Sequence, residues 1–161
     1  MARFLSFLKK SDAAKPVGDD RNSPEYKRKI ELSTCALLLL MAKSDEKFTN
    51  DERQKIIDIM SITFKLDEAS IDELIELSNA KINDQKEIDD ILAFMNKNFF
   101  FDEKYDLAKS LYYLMYADSY LSDFEVSMLA RIGKALSINK IALETIKRDV
   151  LSDIENGRAL F

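Results

Sequence analysis

The sequence predicts an all-α fold, a single-domain bundle of about seven helices with an internal two-fold pseudo-repeat. Three observations carry that expectation. Only three Gly and two Pro occur in 161 residues, too few to punctuate a many-stranded sheet, and the abundance of Leu, Ile, Lys, Glu, Asp and Ala favours helices. Apolar residues recur at helical spacing in successive segments. One motif also occurs twice. Asp45-x-x-Phe48-Thr49-x-x-Glu52 is echoed by Asp118-x-x-Leu121-Ser122-x-x-Glu125, 73 residues later. Ile56 and Ile59 after the first copy match Leu129 and Ile132 after the second. A duplicated helix–turn–helix unit explains the match, and internal repeats set architecture.

The elements follow in order. Met1 to Lys10 place Phe4, Leu5, Phe7 and Leu8 beside Arg3, Lys9 and Lys10. This is either a short amphipathic foot for a membrane surface or partner groove, or a terminus that folds back on the domain or stays mobile. Residues 11–22, with Pro16, Gly18, Asp19 and Asp20, read as a linker. Residues 1–22 are thus expected to be an N-terminal segment and 23–161 the helical domain. Ser23-Pro24-Glu25 is a helix-start signal for a first helix reaching about Lys43. A second runs from Asn50 to about Lys65, Leu66-Asp67 breaks it, and Ile71, Leu74 and Ile75 mark a third. Asp84 and Glu87 open a fourth, with Ile88, Ile91, Leu92 and Met95 on one face. Phe99, Phe100 and Phe101 form an aromatic connector expected to fill core. Asp102 is expected to cap the fifth helix, Ser122 the sixth and Asn139 the seventh, which ends near Asn156-Gly157. Helices one and five are apolar nearly all round, so they should form the buried centre.

Composition excludes several activities. There is no histidine, which removes the commonest general base and metal ligand and every Ser-His-Asp or Cys-His device. Cys35, the lone cysteine, sits in an apolar run where a buried inert thiol is expected. A net charge of −5 argues against nucleic-acid binding, which needs clustered Lys and Arg. Charge is uneven along the chain: residues 1–30 hold eight basic and four acidic side chains, and residues 67–90 hold nine acidic and two basic. A basic leader therefore precedes an acidic central face. The apolar run from Ala36 to Ala42 is far shorter than the roughly 20 residues that span a bilayer. The expected setting is cytoplasmic, at the inner face of the membrane if residues 1–10 dock there.

The repeated turns carry the candidate chemistry. Thr49-x-x-Glu52 and Ser122-x-x-Glu125 have capping-box spacing, in which hydroxyl and carboxylate satisfy each other's backbone N–H groups. Leu121 and Val126 complete a hydrophobic staple in the second copy. In the first copy Phe48 faces Arg53, and that staple is weaker. Capping does not explain Asp45 and Asp118, which lie where an apolar helix ends and negative charge is disfavoured. Either each Asp hydrogen-bonds its turn, or Asp45, Glu52, Asp118 and Glu125 offer oxygen ligands to Ca²⁺, Mg²⁺ or Mn²⁺. An EF-hand is excluded, because its Gly and final Glu positions would fall on Asn50 and Ile56, or on Asp123 and Leu129.

At these residues the chain resembles the tellurite-resistance TerB family, including the related TerB-like domain of the membrane-anchored DjlA co-chaperone. The similarity covers roughly residues 24–150. It rests on the apolar helices ending in Asp45 and Asp118, the two boxes, and the Ile/Leu spacing after them. Family members usually carry Asp-Gly, where this chain has Asp45-Glu46 and Asp118-Ser119. The resemblance implies an all-helical cytoplasmic domain, often placed in stress-response systems at the membrane, with acidic residues suggested to bind metal and no established reaction. The J-domain of DjlA-like proteins needs a His-Pro-Asp motif, which a chain without histidine lacks. The expectation is a non-enzymatic module that binds a protein partner, a divalent cation or both. The alternative is a peripheral membrane adaptor docking through residues 1–10 and presenting the acidic 67–90 face. A metal-assisted hydrolase would require these acids to converge in a cleft.

Overall fold

The computed structural model describes residues 23–43, 48–116 and 122–157. Among them are seven helices and no strand: α1 Pro24–Ala42, α2 Asn50–Phe64, α3 Glu68–Lys81, α4 Gln85–Asn98, α5 Phe101–Met115, α6 Asp123–Ala135 and α7 Lys140–Glu155. Met1–Lys10 and the linker after it lie outside the described residues, as do Asp45, Asp118 and Leu121 of the repeated turns.

Local chemistry places most boundaries where the sequence predicts them. Ser23 accepts from the Tyr26 N–H at 3.1 Å, with Pro24 in the first turn. Asp67 accepts from the Ser70 N–H at 2.8 Å, and Asn139 from the Ala142 N–H at 2.8 Å. Two helices are followed by a non-glycine residue in the left-handed region, Lys65 (φ 55°) after α2 and Ser137 (φ 60°) after α6. Each is followed by one apolar residue and then the next N-cap, so both halves turn by the same local device.

The start of α5 departs from expectation. Its N-cap is Phe100, which has no side-chain acceptor, and Asp102 lies inside the first turn. The Glu103 carboxylate caps instead, accepting from the Phe100 N–H at 2.7 Å. The aromatic connector also divides. Phe99 is buried, whereas Phe101 is 60 % exposed as the first residue of α5.

α1 and α5 form the centre, as their apolar character requires. Cys35 through Leu39 are buried, as are Leu107, Leu111, Leu114 and Met115. α1 packs on α2, α3, α5 and α6, and α5 packs on α1, α2, α6 and α7. The principal neighbour of α1 is α3 and that of α5 is α7. Surface ties reinforce both pairs: Arg28 meets Glu73 at 3.2 Å, and the Tyr105 hydroxyl donates to Asp149 at 2.6 Å. α4 covers the assembly with an amphipathic face of Ile88, Ile91, Leu92 and Met95. No helix among the described residues is long and apolar enough to cross a membrane.

Candidate functional site

Both capping boxes are formed. The Thr49 hydroxyl accepts from the Glu52 N–H at 3.1 Å and donates to Glu52 Oε1 at 3.1 Å, while Oε1 also accepts from the Thr49 N–H at 3.3 Å. The Ser122 hydroxyl accepts from the Glu125 N–H at 3.1 Å, and Glu125 Oε1 accepts from the Ser122 N–H at 3.0 Å. Glu52 and Glu125 are both buried. Of the four residues expected to share a cation, the structure thus places Glu52 and Glu125, and it engages one carboxylate oxygen of each in capping a separate helix. Asp45 and Asp118 lie outside the described residues. Among the described residues no three or more His, Cys, Asp or Glu side chains gather as a metal-holding group.

Glu103 is a third buried carboxylate with a capping task, one that sequence reasoning assigned to Asp102. The available signal was its position three residues after the cap. Without a hydroxyl at Phe100, that spacing makes only half a box.

The acidic stretch 67–90 is largely neutralised by ion pairs. Asp72 pairs with Arg53, Glu73 with Arg28, Glu87 with Lys81 at 3.4 Å, Asp90 with Lys86 at 3.1 Å and Asp89 with Arg131 at 3.5 Å. It is a solvated, internally paired surface more than a single-sign field. Cys35 is fully buried in α1. Burial pushes its thiol up to about 11, against the smaller opposing influence of the Ser78 side chain and the Arg53 charge. At neutral pH it is protonated and inert.

An apolar concavity lies elsewhere, where α5, α6 and α7 meet. A cavity of about 180 Å³ is lined by Tyr112 and Met115 of α5, Val126, Leu129 and Ala130 of α6, and Lys140, Leu143, Glu144 and Lys147 of α7. Its lining is mainly apolar, and Val126 remains 48 % exposed. Gly133 sets the spacing of two walls, since a Cβ there would stand 2.6 Å from Leu143 Cδ1. Tyr112 stacks on Tyr116, centroids 6.5 Å apart. Burial first, then the Glu144 carboxylate and Tyr116, pushes the Tyr112 phenol up to about 12. The Tyr116 phenol is raised by burial and by the same carboxylate. Both phenols stay protonated at neutral pH.

Sequence reasoning missed this groove. Its signal was the contrast between Arg53 and Val126 at matching places in the repeat, which reads on the sequence only as a difference in staple quality.

Neither a curated protein nor a solved structure matches the chain. A family model does, over residues 31–148, and its description is Tellurite resistance protein TerB. That span takes in all of α2 to α6 and most of α1 and α7, both capping boxes and the groove. An all-helical chain matched over most of its length by that model belongs to the TerB family.

Proposed function

We propose that this TerB-family chain is a binding module, not an enzyme, and that it engages a protein partner through the groove between α5, α6 and α7. Its setting on this reading is tellurite, metal or general stress, supported by the family description, Tellurite resistance protein TerB. The observation that carries the reading is the groove itself, an apolar concavity with a few converging polar groups and a half-exposed Val126 on its wall. Concave apolar sites with sparse polar markers are the usual form of binding sites. Chemical crosslinking in the source cell tests it, comparing the natural chain with Val126→Arg, which fills the groove. A partner should attach to the natural chain and be lost from the variant. Equal attachment, or none to either, contradicts the reading.

A second reading is favoured by the buried Glu52 and Glu125, each beside a turn segment carrying Asp45 or Asp118. Here Ca²⁺, Mg²⁺ or Mn²⁺ takes oxygen ligands at the turns, and hard cations suit such donors. Isothermal titration should then show binding heat that Asp45→Asn with Asp118→Asn removes. The absence of heat leaves partner binding alone.

A further inference from the structure

The two halves of the chain finish the same place in different ways. Thr49 and Ser122 cap α2 and α6, so Arg53 and Val126 both occupy the fourth helical position. Asp67 and Asn139 cap α3 and α7, so Asp72 and Glu144 both occupy the fifth. In the first half the Arg53 guanidinium crosses from α2 to α3 and pairs with Asp72. In the second half the matching residues, Val126 and Glu144, line one groove. Valine is too short and carries no charge, so the space and the carboxylate that an arginine serves in the first half stay open. Glu144 makes no ion pair among the described residues, although Lys140 and Lys147 flank it on the same helix.

We propose that this groove receives an arginine side chain from a protein partner, whose guanidinium pairs with Glu144 as Arg53 pairs with Asp72. The inference rests on the groove reading above and names the chemistry of its occupant. Guanidinium fits better than ammonium, because it is planar, weakly hydrated, pairs with a carboxylate in two places and stacks on aromatic faces. The groove offers a carboxylate and an aromatic ring in one lining, Glu144 and Tyr112. The arginine stem and an adjoining apolar residue lie on Val126, Met115 and Leu143 and supply most of the binding. The ion pair mainly selects the partner and fixes its register. Lys140 and Lys147 set the opposite limit. A run of basic residues is repelled there, so the arginine stands alone among apolar or acidic neighbours.

The test is an NMR titration of the isotopically labelled full chain with hexylguanidinium, and separately with hexanoate, which has the same apolar tail and the opposite charge. Hexylguanidinium should give saturable shifts at Val126, Leu129, Leu143 and Glu144, with hexanoate clearly weaker at the same sites. Glu144→Gln should weaken hexylguanidinium by about fivefold, the scale of one exposed charge pair. Val126→Arg should abolish binding while keeping the natural circular dichroism and melting midpoint. Equal or stronger hexanoate binding, or indifference to Glu144→Gln, overturns the arginine proposal and leaves the groove as a binding site. Failure of both probes to bind removes the groove reading as well.

Discussion

The fastening of the two turns yields a quantitative prediction. Thr49→Ala removes a hydroxyl with two tasks, accepting from the Glu52 N–H and donating to Glu52 Oε1, each at 3.1 Å. Loss of an N-cap costs about 1 kcal/mol. The second bond goes to a buried carboxylate, and losing a donor to such a group costs about 1 kcal/mol more. Thr49→Ala should therefore lower stability by about 2 kcal/mol, a large share of the roughly 5–15 kcal/mol typical of a domain. Ser122→Ala loses the cap, while Glu125 keeps the Ser122 N–H at 3.0 Å, and it should cost about 1 kcal/mol. Thr49→Ser retains both bonds and should lie within about 0.5 kcal/mol of the natural chain. Urea unfolding followed by circular dichroism measures all three, with an unchanged slope showing that stability alone has moved. A Thr49→Ala cost below about 0.5 kcal/mol, or a larger cost for Ser122→Ala, would refute the assignment of Glu52 to the cap.

Two further predictions probe the core and the groove. Cys35 is an acid whose folded pKa is raised, so the unfolded chain releases its proton from pH 9.0 upward while the folded chain holds it to about 11. The Cys35 contribution to stability is thus full below pH 9 and is lost across that window, by as much as roughly 2–3 kcal/mol, and Cys35→Ala should flatten this part of the pH profile. An aromatic disulfide reagent at pH 8 should label Cys35 only after denaturant is added. Gly133→Ala gains helix propensity of about 1 kcal/mol but drives Leu143 into the groove, because the new Cβ would stand 2.6 Å from Leu143 Cδ1. Net stability should change by less than about 1 kcal/mol, and hexylguanidinium affinity should fall; unchanged affinity would place the ligand elsewhere.

Most of the architecture was legible in the sequence because helix ends are written in short-range chemistry. Ser23, Thr49, Asp84, Ser122 and Asn139 are good capping residues, and each caps where the pattern places it; Asp67, read only as a break, caps α3 as well. The α5 start was misplaced for the same reason. Phe100 offers no acceptor, and sequence reasoning chose Asp102 because it could not see Glu103 buried against the Phe100 N–H. The groove was illegible because it depends on long-range geometry. Arg53 and Asp72 are 19 residues apart, and nothing local says that they pair. Val126 reads on the sequence only as a staple residue, and nothing local places it with Glu144 on one groove. The four acids singled out at the turns were chosen by spacing alone. Spacing identified the capping of Glu52 and Glu125 correctly and is silent on what else Asp45 and Asp118 do.

On the arginine proposal, two matching units meet at equivalent positions, and one residue, arginine or valine, decides whether the place is closed or open. Counting hexylguanidinium sites by NMR titration in the natural chain, in Val126→Arg and in Arg53→Val tests it most directly. One site is expected beside Glu144 in the natural chain, none in Val126→Arg and two in Arg53→Val, the second appearing beside Asp72 at the residues that flank position 53. A single unaltered site in all three chains, or new shifts in Arg53→Val away from α2 and α3, would contradict it.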